Sequence, residues 1–137
     1  MSGSQGSQDL GKALLRIVLG ILILLHGIAK LKGGVGFVEQ TAMQAGLPAW
    51  VAYGAYIGEV VAPVLLILGL WTRLAALIVV VNMLFAVALV HTKQIAMLND
   101  TGGWQLELQG MYLAAALTLV LIGGGRLGLG GAGGKWN

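Results

Sequence analysis

Glu59 is the only charged side chain in the apolar run from Trp50 to Leu70. A run of that length crosses a bilayer as a helix. A carboxylate at such depth is costly, and such groups are paired, turned to a cavity or functional. Pro63 follows four residues later. Proline lacks an N–H, so the carbonyl of Glu59 loses its helical partner. The carboxyl group and the weak point of the helix ladder thus fall on one residue. Other chemistry-bearing side chains stand in the neighbouring apolar runs. His26 and Lys30 are four apart and share a helix face. Asn82 lies midway along a third run, His91 at its end, and Glu107 near the start of a fourth. A histidine and a carboxylate at bilayer depth can hydrogen-bond the carbonyl oxygens of an apolar substrate and relay protons.

Composition limits what can surround these groups. The 137 residues are 58% hydrophobic and 9% charged, with a mean hydropathy of +0.89. Soluble domains carry about 25% charged residues, so the expected class is an integral membrane protein, one domain long. The net charge of +3 is spread over eight Lys and Arg without a run, which fits membrane topology and gives no nucleic-acid signal. The absence of cysteine removes disulfides, thiol relays and thiolate metal sites.

The elements that must position the polar groups follow from the apolar runs. Residues 1–9 are Gly/Ser-rich and polar, and are read as a disordered tail. The run Ala13–Leu31 is too long for a signal-peptide core. Residues 10–126 form a four-helix membrane domain, with helices at about 12–31, 50–70, 73–91 and 104–122. Phe37, Val38, Thr41, Ala42 and Ala45 predict a short interfacial helix in the first outer loop. Thr72 is a good N-cap for the third helix. Residues 127–137 form a Gly-rich C-terminal tail, expected to be disordered, with Trp136 able to touch the membrane surface. The fold class is therefore all-α, an integral membrane four-helix bundle.

Topology gathers the polar residues. The N-terminal flank, the 70–73 turn and the C-terminal flank hold Lys12, Arg16, Arg73, Arg126 and Lys135; the opposite side holds Lys30, Lys32 and Lys93. Five against three puts both termini in the cytoplasm. His26, Lys30, His91, Glu107, Glu59 and Asn82 then lie in the outer half, with Glu59 roughly 13 Å below the outer surface at ~1.5 Å per residue. The functional reading is an outward-facing polar pocket with Glu59 at its floor. The bland reading stays open beside it. His91 and Glu107 are near enough to the interface to be solvated, His26 and Lys30 to snorkel, and Glu59 to pair structurally between helices. Arg16, Arg73 and Arg126 read as topology anchors. Gly54 and Gly58, with Pro63, read as a helix-packing face. No di-iron ligand pairs, phosphate loop or nucleophile elbow occur, so no metal site is expected.

The order of motifs resembles the DoxX family of small bacterial four-helix membrane proteins. The residues carrying the resemblance are Leu15-Arg16, Gly20, His26-Gly27, Lys30, Gly46-Leu47-Pro48, Gly58-Glu59, Leu68-Gly69-Leu70-Trp71-Thr72-Arg73, Met83, His91, Glu107 and Gly123-Gly-Gly-Arg126. They cover about residues 10–128. The resemblance implies an inner-membrane location. In that family a small subunit supports archaeal thiosulfate:quinone oxidoreduction, and other members are similar to partners of superoxide dismutase and a sulfurtransferase. The family's Gly-Glu, helix-end His and helix-4 Glu correspond to Glu59, His91 and Glu107. Where the family often continues with an aromatic-Ser-Leu-Asp stretch, this chain has Leu127-Gly-Leu-Gly130.

The resulting expectation is a membrane-embedded accessory subunit of a redox system, quinone-linked or concerned with oxidative stress. It encodes no cofactor and takes a quinone or lipid-like ligand in the pocket. Its surroundings are the lipid bilayer of the bacterial inner membrane and a protein partner. The alternatives are a non-catalytic assembly or scaffold protein and a small proton-coupled transporter, the latter disfavoured by the lack of an evident inverted repeat.

Overall fold

Buried positions on the first helix recur at Asp9, Ala13, Arg16, Leu19, Gly20, Ile23 and Gly27. This is one stripe of helical period. In the computed structural model, which describes residues 3–34, 36–90, 94–131 and 133–137, that stripe belongs to a single helix, α1 (Gly3–Gly33). The expected disordered tail at 1–9 is thus helical from Gly3 onward. Asp9 explains it: only 6% exposed, it accepts a hydrogen bond from Arg126 Nε at 2.9 Å and from the Arg126 backbone N–H at 3.3 Å. That tie holds the first turns of α1 against the far end of the chain.

Helix α2 (Gly36–Gln44) is the short helix expected in the first loop. The next span, α3 (Ala49–Leu68), is not a uniform α-helix. It begins as a 3-10 turn (Ala49–Tyr53), passes through one α turn (Gly54–Tyr56), widens to a π-helix (Ile57–Val61) and resumes as α over Ala62–Leu68. Pro63 accounts for the widening. It withholds the N–H that would have met Glu59 O, and the Ala62 N–H instead reaches Ile57 O, five residues back. Gly69, at φ 72°, ends α3 in a left-handed cap with its N–H on Leu65 O at 2.9 Å.

After a three-residue turn (Gly69, Leu70 and Trp71) comes α4 (Thr72–Val90). Its N-terminus is capped in a way the sequence reading missed. The Thr72 hydroxyl is buried against Gly124 and has no hydrogen-bond partner. The N–H groups of Arg73 and Leu74 point instead to Trp136 O, at 2.8 and 3.4 Å. The C-terminal segment is therefore an ordered cap, with Leu129 and Gly130 also donating to Leu68 O and Gly69 O. Thr72→Val is expected to raise stability by about 1 kcal/mol, because it removes a buried, unsatisfied hydroxyl. An N-cap role would predict a loss of similar size; thermal unfolding in detergent separates the two.

The last helix, α5 (Glu107–Ile122), starts three residues later than expected. Residues 97–105 form a small hairpin instead, in which Asn99 Oδ1 accepts from Thr101 and Gly103 N–H groups and Trp104 Nε1 donates to Ile95 O. Among the described residues, three helices are long and apolar enough to cross a membrane; α5, at 16 residues, is shorter but also apolar. Only 28%, 33% and 33% of the three long apolar stretches is buried inside the protein. The rest, including Leu14, Val18, Leu25 and Leu84, faces outward, as do Leu117 and Leu121 of α5, which fits a lipid surround and no aqueous one. This is an all-α membrane protein.

The core fills the inner part of the bundle: Leu19 and Ile23 of α1, Ala62 and Leu66 of α3, Ala75, Val79 and Met83 of α4, and Tyr112, Ala116 and Leu119 of α5. Gly20 and Gly27, seven apart on one face of α1, set how closely it meets α3. A Cβ on Gly20 would lie 2.9 Å from Pro63 O, and one on Gly27 would collide with Glu59 O. The carbonyl that Pro63 leaves free therefore rests against the bare face of Gly27.

Candidate functional site

The buried stripes stop at a common level. On α1 the last buried residue is Gly27, on α4 it is Met83, and on α5 the first is Tyr112. Beyond that level the helices separate and leave a cavity of about 760 Å³. Its roof is α2, through Phe37, Val38, Thr41 and Ala42, and the opening turn of α3, through Trp50 and Val51. Its walls are mainly apolar, with Ile57, Leu77, Val81, Phe85 and Leu89 among them.

Two glycines of α3 show where the separation begins. A Cβ on Gly58 would meet the Asn82 side chain at 2.5 Å, so α3 and α4 touch there. A Cβ on Gly54, one turn further out, would meet nothing within 4 Å. The expected Gly54–Gly58 packing pair is thus corrected. Gly58 packs, whereas Gly54 opens into the cavity, and Gly20 and Gly27 make the close approach between α1 and α3. Gly54→Ala is expected to leave stability within about 0.5 kcal/mol, or raise it slightly through helix propensity, as measured by detergent melting.

Polar groups line the inner part of the cavity. Lys30 Nζ donates to Glu59 Oε1 at 3.0 Å and lies 2.9 Å from Oε2. The Glu59 side chain is 10% exposed and that of Lys30 27%. This joins the end of α1 to the π-segment of α3, and Tyr56 adds a hydrogen bond from its hydroxyl to Lys30 O at 3.2 Å. His26 lines the cavity with its ring edge-on to Tyr112, centroids 6.1 Å apart and planes at 81°. Asn82 completes the set from α4.

Four predicted site residues, Glu59, His26, Lys30 and Asn82, are thus brought to one cavity. Glu107 is not among its lining residues. It is the first residue of α5, because the hairpin delays that helix, and it meets Asn99 Nδ2 at 3.5 Å. His91 lies outside the described residues. Gln109 and Tyr112 line the cavity from α5 and were missed. Their three-residue spacing places them on one face, a signal that Glu107 drew attention away from.

The three arginines, expected as topology anchors, also make structural contacts. Arg16, 2% exposed, donates to Gly124 O and Leu127 O at 2.8 and 2.9 Å. Arg73 reaches Val120 O and Leu121 O at the end of α5, where cations complement the helix dipole. Arg126 pairs with Asp9. Together they tie both ends of the chain to the inner face of the bundle.

Comparison with known proteins places this geometry in context. The DoxX family model matches residues 11–92, from the third turn of α1 through α4. A protein of Bacillus subtilis (strain 168) named "Putative oxidoreductase CatD" is 32% identical over 108 residues, covering 79% of this chain and 80% of that one. An uncharacterized protein of Haemophilus influenzae is 40% identical over 86 residues, 58% of either chain. No solved structure matches.

Proposed function

The chain belongs to the DoxX family of membrane proteins, and from that premise we propose that it is an accessory subunit of a membrane redox system that holds a quinone, or a lipid-like molecule of similar shape, in the cavity beyond Glu59. The observation that carries this reading is the cavity itself: about 760 Å³ of mainly apolar space with a small polar group at its inner end. Binding sites for small apolar molecules have this form, with few, well-placed polar groups fixing orientation. The similarity to a Bacillus protein named as an oxidoreductase supports the redox setting.

The residues present fit such a ligand. Apolar walls from α3 and α4 suit a ring and its hydrocarbon tail, while Lys30, Asn82 and His26 offer donors to carbonyl oxygens. Bound, a quinone supplies a two-electron, two-proton couple. Lys30 and Glu59 hold each other's charge at the inner end of the cavity, and His26, fixed by the Tyr112 edge, is the group suited to exchange a proton there. Cysteine is absent from the sequence, which removes thiol and thiolate-ligated electron carriers, and the electrons are assigned to a partner protein or a bound cofactor. In this proposal both termini are cytoplasmic and the cavity opens toward the outer face of the bacterial inner membrane, a reading that the five-to-three Lys and Arg bias supports.

Lipid extracts of the purified protein are expected to contain quinone in stoichiometric amount, and His26→Gln to slow the partner's quinone-dependent turnover about 100-fold or more, the usual worth of a positioned proton-transfer group. Extracts free of quinone, together with unchanged turnover, would overturn the proposal.

The Lys30–Glu59 pair also favours a second reading, a non-catalytic assembly protein in which the pair only fixes α1 against α3. Recovery of a partner by mild-detergent pull-down, with quinone absent, would select it.

A further inference from the structure

The inner end of the bundle carries a positive charge that the redox reading does not use. The Arg16 guanidinium is buried among helices and has no carboxylate partner among the described residues. Its two terminal nitrogens donate to backbone carbonyls, and its Nε finds no acceptor. Arg126 has Asp9 as its counter-charge at 2.9 Å. Arg16 thus has only backbone carbonyls as acceptors among the described residues, in a setting where an uncompensated charge is costly.

Both arginines line one shallow depression of about 570 Å³. Its other walls are apolar, including Ile17 of α1, Ile67 and Leu68 of α3, and Leu129 of the C-terminal segment. Leu68 and Leu129 are 43% and 74% exposed, so the depression opens on the outward-facing, lipid-compatible surface of the bundle. Arginine presents a planar fork of donors that matches a phosphate group, and basic pockets between transmembrane helices on the cytoplasmic side suit anionic lipid headgroups.

We propose that this depression binds the phosphodiester headgroup of an anionic lipid of the inner leaflet. The phosphate meets the Arg16 and Arg126 edge, and the acyl chains lie along Ile17 and Ile67. The apolar walls favour a lipid over free phosphate, which would leave them unused.

The test uses the full chain in mild detergent, with thermal midpoints read in the presence of short-chain phosphatidylglycerol, phosphatidylcholine of the same acyl length, or inorganic phosphate. Phosphatidylglycerol alone is expected to raise the midpoint. Leu129→Glu, which sets a carboxylate at the mouth without touching the Arg16 or Asp9 contacts, is expected to weaken that response about tenfold, the worth of one charged contact. Its midpoint in phosphatidylcholine should stay unchanged, which shows that it folds. Equal responses to the two lipids, or a full phosphatidylglycerol response in Leu129→Glu, would overturn the proposal. An equal rise with inorganic phosphate alone would overturn the lipid assignment in favour of a soluble anion.

Discussion

Gly27→Ala is expected to lower stability by about 3 kcal/mol, the upper range for overpacking a tight contact, and Gly27→Leu to prevent folding. The added Cβ would collide with the Glu59 carbonyl oxygen and come within 2.8 Å of Val60 Cγ2. Neither partner is free to move. The carbonyl belongs to a π-segment held by Pro63 on one side and the Lys30 ion pair on the other, and Val60 is part of the same turn. The contrast with Gly54→Ala, expected to be nearly neutral, makes the prediction specific: two glycines in apolar helices respond oppositely because one faces backbone and the other faces the cavity. Fluorescence-detected gel filtration after a temperature ramp measures both. Equal loss for the two would mean that α3 and α4 do not separate beyond Gly58.

The second large effect concerns Glu59. Glu59→Gln removes the partner of Lys30 and leaves an ammonium group facing a mainly apolar cavity. Breaking a largely buried pair in this way costs about 3 kcal/mol. Lys30→Gln in the same chain is expected to recover most of that loss, because two amides can replace the ion pair without an orphaned charge. A thermal double-mutant cycle should therefore show a coupling of about 1–3 kcal/mol. Additive losses would indicate that the two side chains stabilise the protein separately. The cycle also supplies a folded protein lacking both charges, in which ligand binding can be examined without loss of structure.

Much of the fold was legible from apolar runs because lipid-facing and core-facing helix surfaces are both apolar, so spans stand out whatever they pack against. The short helix α2 and the gathering of Glu59, His26, Lys30 and Asn82 at one level of the bundle came from the same pattern. What escaped was long-range. The Asp9–Arg126 pair spans 117 residues, and without it the polar first turns read as a tail, even though Asp9 sits in phase with the buried stripe of α1. The carbonyl of Trp136 caps α4 from 63 residues away, so a local hydroxyl was credited instead. Glycine spacing alone could not rank Gly27 above Gly54, since the difference lies in which backbone stands opposite. Glu107 was placed a turn too deep because Leu98 and Trp104 pair in a hairpin that delays α5.

On the proposed function, the space beyond Glu59 receives a quinone-like molecule. The most direct measurement is photolabelling of membranes with a photoactivatable short-chain quinone, followed by mapping of the labelled peptides. Labels are expected on cavity walls, around Phe37, Gly54 and Phe85. They should weaken in Gly54→Trp, whose indole has open space to enter and would occupy part of the cavity while the helix contacts below it persist. Labelling confined to lipid-facing positions such as Leu14 and Leu121, unchanged in Gly54→Trp, would contradict the account.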